Sequence, residues 1–133
     1  MKSQDTFDVS GNIIRIGAEI YGPRGIIVAS LALDTGASTT MLNAGILRAA
    51  GYDPARGSET RLITGSTTLT ARLLMIDRLD AAGQSVENFE VVCHDLPEES
   101  ELDGLLGLNF LCLFDTEINY SNATIVLKPL RDA

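Results

Sequence analysis

The residues best placed to do chemistry are Leu31-Ala32-Leu33-Asp34-Thr35-Gly36-Ala37-Ser38, where an apolar run ends directly in an acid, a hydroxyl and a glycine. A pattern of Asp-Thr-Gly, then Ala or Ser, then Ser or Thr, arises by chance in a chain this long at on the order of one in a thousand. A carboxylate at the end of a buried strand is partly desolvated and needs hydrogen-bond donors to stay charged. Gly36 offers backbone freedom and a close-lying amide to supply one. Cys93, His94 and Cys112 lack the spacing of a zinc site. Both cysteines sit in apolar stretches and read as reduced core thiols, so neither a metal nor a cofactor is expected. Asn119-Tyr120-Ser121 and Asn122-Ala123-Thr124 match a glycosylation pattern but read more simply as a polar hairpin turn.

The elements that must position Asp34 are mostly strands. Ile13 to Tyr21 and Ile26 to Leu33 are β-rich runs split by Gly22-Pro23-Arg24-Gly25, a hairpin signal. A helix is expected over Ala44 to Ala50, capped by Asn43, stapled by Leu42 and Leu47, and ended by Gly51. Thr60 to Thr64 and Thr68 to Ile76 read as arms around the polar tip Thr64-Gly65-Ser66-Thr67, a candidate lid. Leu73 to Leu79 and Val86 to Cys93 flank a second turn, Ala81 to Ser85. The acidic loop Pro97 to Asp103 reads as solvated. Leu105-Leu106-Gly107 leads into a short helical pattern, Leu108 to Leu113, and Phe114 to Tyr120 and Thr124 to Leu130 close the chain. Short strands with Gly-bearing turns and one or two short helices describe a mainly β fold, sandwich or barrel.

The chain has 133 residues, 45% of them hydrophobic, enough for one core and one domain over residues 1–133. Lys and Arg number 10 against 18 Asp and Glu, a net charge of −8 that repels phosphate backbones, so nucleic acid is not an expected partner. No apolar run approaches the roughly 18 residues of a membrane span, and the N-terminal residues lack a secretory h-region. Membrane insertion is not expected, and the expected location is cytoplasmic.

Three landmarks in order give the chain a likeness to a known family. Asp34-Thr35-Gly36-Ala37-Ser38 resembles the catalytic loop of retropepsin-like aspartic proteases, of the single-domain bacterial or cellular type related to retroviral enzymes. Thr64-Gly65-Ser66 is similar to the flap tip, and Leu105-Leu106-Gly107-Leu108-Asn109-Phe110-Leu111 to the apolar-apolar-Gly signature with its helix. The resemblance spans the chain from Ile13 to Leu127 and implies an all-β, acid-protease closed barrel, one lobe per chain. It implies that Asp34 is the catalytic acid, that Thr35 bonds across a dimer, and that Gly36 donates to the carboxylate. By the same resemblance Ala37 and Ser38 support the loop, with Ser38 bonding the carboxylate's outer oxygen. Leu105, Leu106 and Gly107 pack behind it, and Ile63, Thr64, Gly65 and Ser66 form the substrate-binding flap. The chain departs from viral members in carrying Leu108 where they often have Arg after the last glycine, so the dimer interface must differ there. Its flap tip has one glycine, Gly65, rather than several.

Such chemistry needs two carboxylates about 3 Å apart sharing one proton. Asp5-Thr6-Phe7 and Asp115-Thr116-Glu117 lack the glycine, so no second loop exists in this chain. The expectation is therefore a homodimeric endopeptidase that binds protein or peptide as an extended strand. The competing reading is a catalytically silent dimerisation or peptide-binding module with the same fold.

Overall fold

The long strands form where β-branched and aliphatic residues run between turn residues, and the fold follows from how these strands close. The computed structural model describes residues 1–64 and 66–130. The strands are β1 (Ser3–Thr6), β2 (Asp8–Ser10), β3 (Ile13–Gly22), β4 (Gly25–Leu33) and β5 (Met41–Leu42), followed by helix α1 (Ala44–Ala50). Then come β6 (Ser58–Thr64), β7 (Thr67–Ala81), β8 (Gln84–Cys93), β9 (Gly104–Leu106), helix α2 (Leu108–Leu111), β10 (Phe114–Asn119) and β11 (Thr124–Pro129).

One sheet runs β2-β3-β4-β9-β5-β8-β7-β6, and an added β3–β7 pairing joins strands near its two ends. The ring β3-β4-β9-β5-β8-β7 thus closes on itself, which decides for barrel over sandwich. A smaller sheet, β1-β11-β10, packs beside it. Phe7, Ile16, Ile20, Leu31, Leu42, Leu47, Ile76, Leu79, Val91, Leu106, Phe110, Ile125 and Leu127 belong to one buried core reached from both sheets. The fold is mainly β, one lobe with short helices.

Several expectations change in detail. The two runs read as Thr68 to Ile76 and Leu73 to Leu79 are one strand, β7, whose 15 residues hold no breaker. Its first part pairs with β6, its later part with β8, and Arg78 to Ala81 also pair with β3. The β7–β8 turn is two residues, Ala82 and Gly83, both with positive φ, which matches strand twist. Helix α1 has the expected span and Asn43 stands at its N-cap position, but the Asn43 side chain makes no capping hydrogen bond. Its amide instead donates to Leu102 O and accepts from Leu96 N, while Asp95 Oδ1 accepts from Ala44 N. The acidic loop is solvated as expected, with Glu98, Glu99 and Glu101 exposed, and it is also pinned. Arg15 donates to Ser100 O and Glu101 O, and Asp103 exchanges hydrogen bonds with the backbone of Ser30. Cys93 is half-buried, with its thiol pKa pushed up by burial, whereas Cys112 is exposed and not the core residue its apolar neighbours imply. Asn119 Oδ1 accepts from Ser121 N, Ser121 Oγ and Asn122 N, the side chain closing the last hairpin turn. Among the described residues no helix is long and apolar enough to cross a membrane.

Candidate active site

Asp34 stands one residue beyond β4, where the strand leaves the barrel. The position is set by β9, which lies between β4 and β5: Leu33 pairs with Leu106 in parallel and Leu105 with Met41 in antiparallel. The Asp34 amide continues this ladder by donating to Leu106 O at 3.0 Å. The chain then turns back, with Ala37 N donating to Asp34 O at 3.2 Å. Beyond the turn, Leu108 N donates to Ala37 O at 2.8 Å and Asn109 N to Ser38 O at 3.2 Å, tying the loop to the start of α2.

Asp34 is half-buried as a residue, and its Oδ1 accepts the Gly36 amide at 2.8 Å. A Cβ on Gly36 would stand 3.1 Å from that oxygen, so glycine serves here by leaving space. Its φ is not in the left-handed region, so the backbone freedom expected of it goes unused. Thr35 and Ser38 are exposed. Among the described residues Ser38 makes no hydrogen bond to Asp34, whose carboxylate partner is the Gly36 amide. Leu106 and Gly107 are buried and Leu105 is half-buried behind the loop.

Thr40, which pattern reading overlooked, holds this frame together with Asn109 and Gly107 of the signature segment. Thr40 is fully buried and polar; its hydroxyl donates to Asn109 Oδ1 at 2.8 Å and accepts the Gly107 amide at 3.0 Å. Asn109 Oδ1 also accepts Thr40 N, and its Nδ2 donates to Glu90 O on β8 at 2.7 Å. Gly107 has no room for a side chain, since a Cβ would lie 2.8 Å from both Ala37 O and Thr39 C. One buried hydroxyl therefore links the acid-bearing loop, α2 and β8. The only sequence signal for it was a Thr placed next to the apolar pair Met41-Leu42.

Asp34 opens onto a cleft of about 410 Å³ also lined by Gly36 to Thr39, Met41, Thr60 to Ile63, Leu73, Glu90, Val92 and Leu105. Register explains its floor. Leu105 pairs with Met41, Met41 with Val92, and Val92 with Leu73, making one apolar shelf across four strands. Met41 and Val92 are buried yet lie outside the main core cluster. The hairpin β6–β7 forms the opposite wall, where Ile63 is 79% exposed. Thr64 ends β6 opposite Thr67, Ser66 is exposed, and Gly65 lies outside the described residues. No group of three or more His, Cys, Asp or Glu side chains that could hold a metal occurs among the described residues.

The model of a protein family described as aspartyl protease matches residues 18–110, which include the Asp34 loop, the β6–β7 hairpin and β9. The chain belongs to the aspartyl protease family. It is also similar to the crystal structure of a retropepsin-like aspartic protease from Rickettsia conorii. That match has a TM-score of 0.71 and 19% identity, and covers 96% of this chain and 91% of the other. At such identity the likeness is one of fold. A comparison with curated proteins finds no match.

Proposed function

We propose that the chain is a single-domain aspartic endopeptidase that acts as a homodimer, with Asp34 from each copy forming the catalytic pair. The observation that carries this reading is the Asp34 carboxylate, held by the Gly36 amide at 2.8 Å and facing a cleft with an apolar floor. Family membership supports the reaction class. The other carboxylate lining the cleft, Glu90, lies on β8. From β4 the sheet order runs through β9 and β5 to β8. Glu90 thus stands three strands from β4 around the ring, and among the described residues the bond to the Asp34 carboxylate comes from the Gly36 amide and not from Glu90, so the two acids do not form the close pair that a shared proton requires. The second acid therefore comes from another chain, most simply through a twofold axis that passes near both Asp34 loops. Thr35, exposed at the loop, is available to bond across that axis.

In the pair, the ionised carboxylate takes a proton from a bound water while the protonated one polarises the scissile carbonyl and then helps protonate the leaving amine. The peptide lies extended over the shelf of Leu105, Met41, Val92 and Leu73, with the β6–β7 hairpin as a lid. Leu108 follows Gly107 at the start of α2, so subunit contacts there are apolar rather than charged. The test is cleavage of unfolded casein at mildly acidic pH and its inhibition by a statine-type transition-state mimic. Inhibitable cleavage supports the reading. Peptide binding without cleavage supports a silent binding module instead.

A further inference from the structure

We propose that Glu90 selects substrates carrying a basic side chain, so that the preferred peptides have Lys or Arg within about four residues of the cleaved bond. The inference rests on the protease reading above and names its substrate class.

The β8 strand alternates faces: Phe89 and Val91 enter the main core, whereas Val92 joins the cleft floor. Glu90, one step from both core residues and two from Val92, shares the cleft face and is exposed at its end. Its backbone is held in place by the Asn109 Nδ2 bond to Glu90 O. The carboxylate takes part in neither of the ion pairs found among the described residues, Arg56 with Asp53 and Arg78 with Asp80. Arg61 is the other charged side chain lining the cleft besides Asp34, and it stands on the hairpin wall, on β6.

A floor made of Leu105, Met41, Val92 and Leu73, flanked by a carboxylate one same-face step from Val92 along β8, fits a long apolar stem with a cationic head. Lysine and arginine have that shape. Around the closed ring the arc from β4 to β8 is about 14 Å and the straight path is shorter, so roughly four residues of extended peptide is the upper bound on the reach of the preference. The net charge of −8, present on each copy, draws cationic peptides toward the protein as a whole. Glu90 then gives the attraction a position. The pair is partly solvated, so its effect is modest, about fivefold in kcat/KM, and shrinks at high salt.

The experiment compares peptides that differ only in Lys, norleucine or Glu, scanned over four positions on each side of the cleaved bond. Norleucine keeps the stem and removes the charge. With the parent protein, one position should favour Lys over norleucine by about fivefold, and molar salt should shrink the difference. Glu90→Gln should erase the preference and Glu90→Lys should turn it toward Glu. Affinities of the same peptides for the Asp34→Asn protein give a second reading that needs no turnover. Parent protein that cleaves without any Lys preference overturns the role of Glu90 and leaves the protease reading standing. A preference that survives Glu90→Gln overturns it as well. Should the parent cleave nothing while Asp34→Asn still prefers the Lys peptide, the protease reading falls and the Glu90 site stands. Equal affinity for all three peptides, with no cleavage, removes both.

Discussion

Replacing Thr40 with Val keeps nearly the same shape and removes the hydroxyl that joins the Asp34 loop to α2. In the parent that hydroxyl donates to Asn109 Oδ1 at 2.8 Å and accepts the Gly107 amide at 3.0 Å, and Thr40 is 0% exposed. Asn109 Oδ1 keeps the Thr40 amide as a donor, so its loss is one hydrogen bond, about 1 kcal/mol. The Gly107 amide is buried and is left without a partner, which costs about 1–3 kcal/mol. The added methyl returns a fraction of this, so the net loss is about 2–3 kcal/mol. Thr40→Ser is the control, since it keeps both hydrogen bonds and removes one methyl, a cost of about 1 kcal/mol. Urea unfolding at fixed protein concentration measures both, because stability of a dimer depends on concentration. The midpoint should fall much further for Val than for Ser, and peptide cleavage should follow the same order as Gly107 and the loop behind Asp34 shift. A Val variant within about 0.5 kcal/mol of the parent, or a Ser variant as damaged as Val, refutes the role given to the hydroxyl.

Asp80 accepts two bonds from Arg78 at 2.8 Å and one from Tyr21 Oη at 3.1 Å, and the Arg78 guanidinium first of all holds its pKa below the usual 3.8. A lowered folded pKa means stability that is present above about pH 4 and lost as pH falls through the folded value. Asp80→Asn should therefore be less stable at neutral pH and show a shallower loss below about pH 4, read by thermal unfolding across that range. An unchanged acid limb removes Asp80 from the acid response. Tyr52 Oη donates to Tyr21 O at 2.6 Å and accepts Asp77 N at 2.7 Å, bridging β3 and β7 beside α1. Tyr52→Phe should cost roughly 1–2 kcal/mol in denaturant titration, and no change would mean that water replaces the bridge at no loss.

Sequence pattern served best where structure is local. The β3–β4 and β7–β8 hairpins and α1 announce themselves through Gly, Pro and alternating apolar residues, and the Asp34 loop through its own residue order. Elements made by distant pairing were silent. Strand β5 has two residues and β9 three, and each exists because a neighbour from another part of the chain offers the matching hydrogen bonds. Strand β1, Ser3 to Thr6, is polar and mostly exposed, with no apolar period to reveal it; its register with β11 makes it a strand. Asn43 occupies the N-cap position that the pattern marks, but the side chain that accepts a first-turn amide is Asp95, far from the helix in sequence and beyond the reach of a local reading. The same holds in the cleft. Asp34, Leu105 and Ile63 belong to recognisable motifs, whereas Val92, Leu73 and Glu90 reach it through the barrel's register alone.

The central claim is that each site takes one Asp34 from each of two chains, and subunit mixing tests it directly. Asp34→Asn keeps an oxygen to accept the Gly36 amide, so the variant should fold and pair with the parent. Parent chain is held at a fixed concentration at which the protein is dimeric, and the variant is added with time for exchange. Casein or peptide cleavage should fall to about half at equal amounts and to about a tenth at ninefold excess, because mixed pairs hold one carboxylate and are silent. Cleavage that stays constant as the variant is added, with mixed dimers shown by native mass spectrometry of an isotope-labelled variant, would contradict the shared site.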